Sequence, residues 1–194
     1  MITDNSDWLL FLSLEKDLIA TFDYVAVEEE KHDGVFSIAY LKILLAAGSA
    51  VERLAKKHGG LPLDDTWVKA KEIAKRIVEK ERELKEQNKN TTFLWELECY
   101  IPRFSRLKPF FPWRGLPDIE VPPWWKAYDA AKHSGEIFHN ATLKNVLECL
   151  AGLFCLNLVY YGSEVQDFPL PALYDHPTAI PQTMVTTVSS PSGK

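Results

Sequence analysis

The chain of 194 residues has no CxxC pair, no unbroken apolar run of bilayer length and no excess of basic side chains. Each absence excludes something. Its three cysteines, Cys99, Cys149 and Cys155, are odd in number, and the last two lie too far apart on one predicted helix to bridge within it. Buried thiols in a reducing cytoplasm are the expectation. No His, Cys, Asp or Glu cluster shows metal-ligand spacing, so no metal and no cofactor are expected. The most apolar stretch, Val146 to Tyr161, is interrupted by Glu148 and Asn157 and is shorter than the roughly 20 residues a bilayer span needs. It is expected to be a buried helix, without membrane insertion. Asp4, Asp7, Glu15 and Asp17 occupy positions where a secretory leader would need basic and apolar residues, which points to a cytoplasmic location. A net charge of -5 argues against broad, nonspecific nucleic-acid binding. No internal repeat is visible.

What is present reads as helix. Trp8, Leu9, Leu12, Ile19 and Phe22 recur at helical spacing, predicting a helix from about Ser6 to Tyr24. An acidic loop, Glu28-Glu29-Glu30 and Asp33-Gly34, follows. Ser37 is a suitable N-cap for a second helix to about His58, stopped by Gly59-Gly60. Within it Ala46, Ala47, Gly48, Ser49 and Ala50 form a small-residue patch that another helix can approach closely. A third helix is predicted from about Asp65 to Glu86, with Trp67, Ile73, Ile77 and Val78 inward and charges at i,i+4, such as Lys75–Glu79 and Glu81–Lys85, outward. Phe93 to Ile101 suits a short helix or strand. Pro109, Pro112 and Pro117, interleaved with Phe110, Phe111 and Trp113, predict an ordered, irregular excursion. Pro122-Pro123 open a fourth helix to about His133, and Asn140 is a candidate N-cap for a fifth helix ending near Tyr161. The fold expected is all-α: a four- or five-helix bundle over residues 1–162 with an insertion over about 87–123. A proline-rich, irregular tail over 163–194 follows, its last part disordered.

One segment concentrates chemistry. Residues 100–144 reverse the sign of the charge, with Arg103, Arg106, Lys108, Arg114, Lys126, Lys132 and Lys144 against Asp118, Glu120, Asp129 and Glu136. This suits a local anionic ligand. Lys132, His133 and His139 are the groups suited to acid–base or phosphate chemistry. Imidazole titrates near neutrality, and a cation stabilises charge building on a phosphate. Six residues separate Lys132 from His139 across a predicted helix–loop–helix corner, so the two are expected to converge.

FSIAYLKILLAAGSAVERLAKKH, Phe36 to His58, followed by PPWWKAYDAAKHSGEIFHNATLKNVLECLAGLF, Pro122 to Phe154, resembles an uncharacterised group of bacterial proteins near the HEPN superfamily of helical bundles. The resemblance implies a four- or five-helix bundle, often a homodimer. It also implies a possible metal-independent endoribonuclease, of the kind found in toxin–antitoxin or phage-defence settings, whose motif pairs an Arg with a His a few residues on. Carried over, His139 takes the His position as general base, Lys132 the Arg position as phosphate cation, and Glu52 the acidic support. His133, Trp125, Tyr128 and Lys144 would contact RNA. The departure is lysine, a point charge without arginine's bidentate fork.

The same residues admit plainer readings. Lys132 and His133 in the last turn of a helix offset its dipole. Glu52 suits an ion pair with Lys132 or Arg53. Trp124, Trp125 and Tyr128 suit core or interface anchors. The alternative function is therefore a noncatalytic helical module that binds a partner protein or small ligand through Phe110 to Tyr128.

Overall fold

The computed structural model describes residues 5–25, 34–64, 68–87, 92–101, 106–115, 118–133, 137–162, 165 and 168–175. Helices account for most of them, and the one sheet among them is a two-stranded antiparallel pair, so the chain is an all-α bundle. Helix α1 is Ser6–Thr21 and buries Trp8, Phe11, Leu14, Glu15 and Leu18, one stripe at 3.6-residue spacing. Leu9, expected on that stripe, is about half exposed.

Helix α2, Ile38–Gly59, starts as its sequence indicates: the Ser37 hydroxyl oxygen accepts the Tyr40 N–H at 3.1 Å. It stops at Gly60, whose φ of 69° is the left-handed conformation glycine tolerates. Helix α3 is Ala70–Gln87; the expected start at Asp65 and the inward Trp67 lie outside the described residues. Its outer face carries the i,i+4 pairs Lys75–Glu79 and Arg76–Glu72, both solvent-exposed. Glu81, expected on that face, is instead buried and accepts the Leu94 N–H at 3.0 Å.

The irregular excursion holds the short hairpin of β1, Cys99–Tyr100, and β2, Arg106–Leu107. Beyond it come 3-10 turns that drive Phe110 and Trp113 into the core against Trp124 and Trp125. Helix α4 is Pro123–His133, α5 is the short Ile137–Asn140, and α6 is Leu143–Tyr161. The cap of α6 is Thr142, whose hydroxyl accepts the Asn145 N–H, and not Asn140. Asn140 is absorbed by α5, a turn the sequence pattern does not announce.

Helix α6 is long and apolar enough to cross a membrane by composition, yet 78% of its apolar window is buried. It is the central helix of the bundle and lies chiefly along α2. The two start together, with Leu143 N–H donating to the Val35 carbonyl, and end together, with the Lys57 ammonium over the Tyr160 ring.

The tail is irregular as expected, but its first part belongs to the packed domain. Residues 168–175 run back across α1 and α6, and Tyr100 exchanges two backbone hydrogen bonds with Asp175. The expected disorder of the last part falls on residues 176–194, outside the described ones.

Candidate functional site

The α2–α4 crossing brings the expected residues of the corner together in part. Gly48 permits the crossing: a Cβ there would sit 2.2 Å from the Tyr128 ring. With the ring against the α2 backbone, the Tyr128 hydroxyl donates to Glu52 Oε2 at 3.0 Å and lies 3.3 Å from Ser49 Oγ. One helical turn further along α4, Lys132 Nζ donates to the same carboxylate oxygen at 3.1 Å. Lys56, one turn further along α2, donates to Glu52 Oε1 at 2.8 Å. Both oxygens of Glu52 are therefore engaged, by two ammonium groups and a phenol.

The electrostatics follow from that arrangement. Burial pushes the Glu52 pKa up, but hydrogen bonds and charge from Lys56 and Lys132 outweigh it, and the carboxyl is held below its usual range. Burial pulls Lys132 down, but Tyr128 and Glu52 outweigh it, and the ammonium titrates above its usual value. Burial and the Glu52 charge raise both the Tyr128 phenol and the Asp129 carboxyl. The site is a charged, closed network at neutral pH.

His139 does not join it. Its ring packs edge-on against Phe36, at 5.6 Å between centroids, just before the start of α2. Glu52 lies 14 residues beyond Ile38, which at 1.5 Å per residue is about 21 Å along the helix axis. The expected convergence of Lys132, Glu52 and His139 is thus corrected to a Lys132–Glu52 pair with the imidazole elsewhere. The physical reason is α5, which packs on α4 and α2 and sets His139 beside Phe36, ahead of the start of α2. His133 is exposed at the end of α4, and Lys144 is exposed in the first turn of α6.

Trp125 is 2% exposed, packed between Trp113 and Trp124, so it offers no face for stacking a base. Tyr128 is equally buried, its ring against Gly48 and under the Lys132 ammonium, so it too has no face free for a base. Phe110 to Tyr128 therefore packs mainly inward. Among its described large apolar side chains Phe111 is exposed, with the Arg114 guanidinium 3.5 Å above its ring.

Sequence reasoning missed Lys56 and Ser49. Lys56 had a signal, being i+4 from Glu52; Ser49 had its place in the small-residue patch and in the Ser-x-x-Glu stretch that it forms with Glu52. It also missed an open cleft of about 520 Å³ between α1 and α2, lined by Ala20, Thr21, Tyr24, Val25, Tyr40 and Ile43, with Asp17 and Lys42 among its polar groups. Phe36 and Ile38, on either side of the lining residue Ser37, have exposed side chains. Among the described residues no group of His, Cys, Asp or Glu is arranged to hold a metal ion.

The fold defines a helical bundle, and the site defines a neutralised carboxylate network on it. Comparison with known proteins finds no matching family model, no matching curated protein and no matching solved structure.

Proposed function

We propose that this HEPN-like bundle is a noncatalytic interaction module that takes a partner protein, and not a ribonuclease. One observation carries the reading: the cation that phosphate chemistry would need, Lys132, is committed to Glu52, while the imidazole that would act as base packs on Phe36. General acid–base catalysis requires the two groups within hydrogen-bond reach, directly or through one water, of one reacting centre. A partner protein is favoured by apolar side chains left exposed: Tyr24, which lines the α1–α2 cleft, is 90% exposed, and Ile38 and Phe36, around the start of α2, are 60% and 50% exposed. A second copy of the chain is the partner that the family resemblance implies.

The test is incubation of the purified protein with single-stranded and hairpin RNAs in the presence of chelator. No cleavage above background is expected, for the wild type or for His139→Ala. Metal-independent cutting that His139→Ala or Lys132→Ala abolishes would overturn this reading and restore the RNA-cleaving one.

A further inference from the structure

The segment Phe168-Pro169-Leu170-Pro171-Ala172-Leu173-Tyr174-Asp175 is held in an unusual way. Two prolines fix their own φ and bias Phe168 and Leu170 toward extended backbone, which stiffens the strap ahead of the bend at Ala172-Leu173. The carboxylate of Glu15, 2% exposed on the inner face of α1, accepts three successive backbone N–H groups. These come from Ala172 at 2.9 Å, Leu173 at 2.7 Å and Tyr174 at 3.1 Å. Trp8 Nε1 donates to the Pro169 carbonyl at 2.9 Å. Tyr100 adds the two-way bridge to Asp175, which extends the edge of the hairpin. The Tyr174 ring fills a hole beside Phe11 and Phe154, and its hydroxyl donates to the Leu147 carbonyl.

These are the contacts of a peptide on a receptor: successive main-chain N–H groups of a bend converging on one carboxylate, one aromatic anchor, Tyr174, in a pocket, and a second aromatic, Phe168, against Trp8 and Tyr161. Phe168 and Leu173 are half-buried against the core, and the rest of the strap buries little. Leu170 is 83% exposed, and Pro169, Ala172 and Asp175 face solvent. Segments with few buried apolar groups open at lower free energy than the core they cover.

We infer that residues 168–175 are a releasable latch seated in cis in a peptide groove formed by α1, β1 and α6. The groove accepts the same kind of segment in trans: bent, with three successive N–H groups for Glu15 and a tyrosine three residues after a proline. The inference does not depend on the partner-protein reading, because it concerns a different face of the molecule. Release uncovers the Glu15 carboxylate, the Tyr100 edge and Cys99, which is 1% exposed in the closed form. The burial that holds the Tyr174 hydroxyl protonated, with Cys99 and Glu15 close by, is lost at the same time.

Cys99 is therefore the reporter. In the full chain, Tyr174→Ala removes the anchor and leaves the groove, and labelling of Cys99 by a small maleimide is expected to accelerate at least tenfold. A synthetic peptide with the sequence of residues 168–175 is expected to slow it again. Glu15→Gln should also accelerate labelling, without rescue by the peptide. The inference is overturned if Cys99 labels only as fast as the whole chain unfolds in denaturant, or if the peptide gives Tyr174→Ala no protection. Should neither variant fold, hydrogen exchange of the wild type decides. Leu173 and Tyr174 amides exchanging well ahead of Leu150 to Phe154 support the latch, and equal protection overturns it.

Discussion

At the residue scale the α2–α4 crossing turns on the absence of one methyl group. Gly48 is legible in the sequence as part of a small-residue patch, but what approaches it is not: Tyr128 lies 80 positions away. A Cβ 2.2 Å from a buried ring atom cannot be absorbed by rotation, since the ring is packed on both sides. Gly48→Ala is expected to cost about 2 kcal/mol through overpacking, offset slightly by alanine's better helix propensity. Urea unfolding measures it, and a variant as stable as the wild type refutes the close packing.

The same crossing makes a pH prediction. Glu52 titrates lower when folded, so its contribution is present above the unfolded value of about 4.3 and is lost as pH falls through the folded one. Lys132 titrates higher when folded, so its contribution holds below about 10.4 and is lost as pH rises through its folded value. Thermal midpoints of wild type and Glu52→Gln should therefore differ most at neutral pH and converge below about pH 4. A difference that stays constant into acid would mean that the carboxylate carries no linked charge. The Glu52–Lys132 pair was readable as one of two pairings for that carboxylate. His139 was misplaced because its position depends on the direction the chain takes after α4, which local periodicity does not encode.

At the scale of elements, caps decided how far the pattern could be read. Ser37 and Gly60 bound α2 where serine and glycine chemistry says they should. Asn140 and Thr142 are both acceptable caps, and they lie two residues apart. The choice falls to Thr142 because Asn140 is already helical and its carbonyl accepts the Asn145 side-chain amide at 2.9 Å. Thr142→Ala is expected to cost about 1 kcal/mol, and Asn140→Ala, which keeps that carbonyl, clearly less. Chemical denaturation of the two variants separates them; equal losses would place the cap elsewhere. Helix α3 shows the limit of charge periodicity. Glu81 reads as one more solvated acid at i,i+4 from Lys85, yet it sits in the core, receiving the Leu94 N–H and lying 3.2 Å from His58 Nε2. Its role comes from a loop that reaches it only after folding.

At the scale of the molecule, the bundle is closed by contacts between its two ends. Glu15 meets residues 172–174 across a separation of more than 150 positions, a distance over which no spacing rule operates. The tail's prolines correctly predicted irregular structure and concealed that it was docked. The latch and the stability of the whole chain are then thermodynamically linked. If the strap opens as a unit while α1, α2 and α6 stay packed, its opening free energy equals the stability lost when it is deleted. Burying Tyr174 and satisfying Glu15 together suggest about 3 kcal/mol for that quantity. A chain ending after Asp167 should still unfold cooperatively with helical circular dichroism, but at lower denaturant concentration, by about that amount. The opening free energy from exchange at Leu173 and Tyr174 should agree with it to within about 1 kcal/mol. If truncation instead abolishes folding while those amides exchange only through global unfolding, the strap is a structural part of the core, and the groove beneath it never stands open.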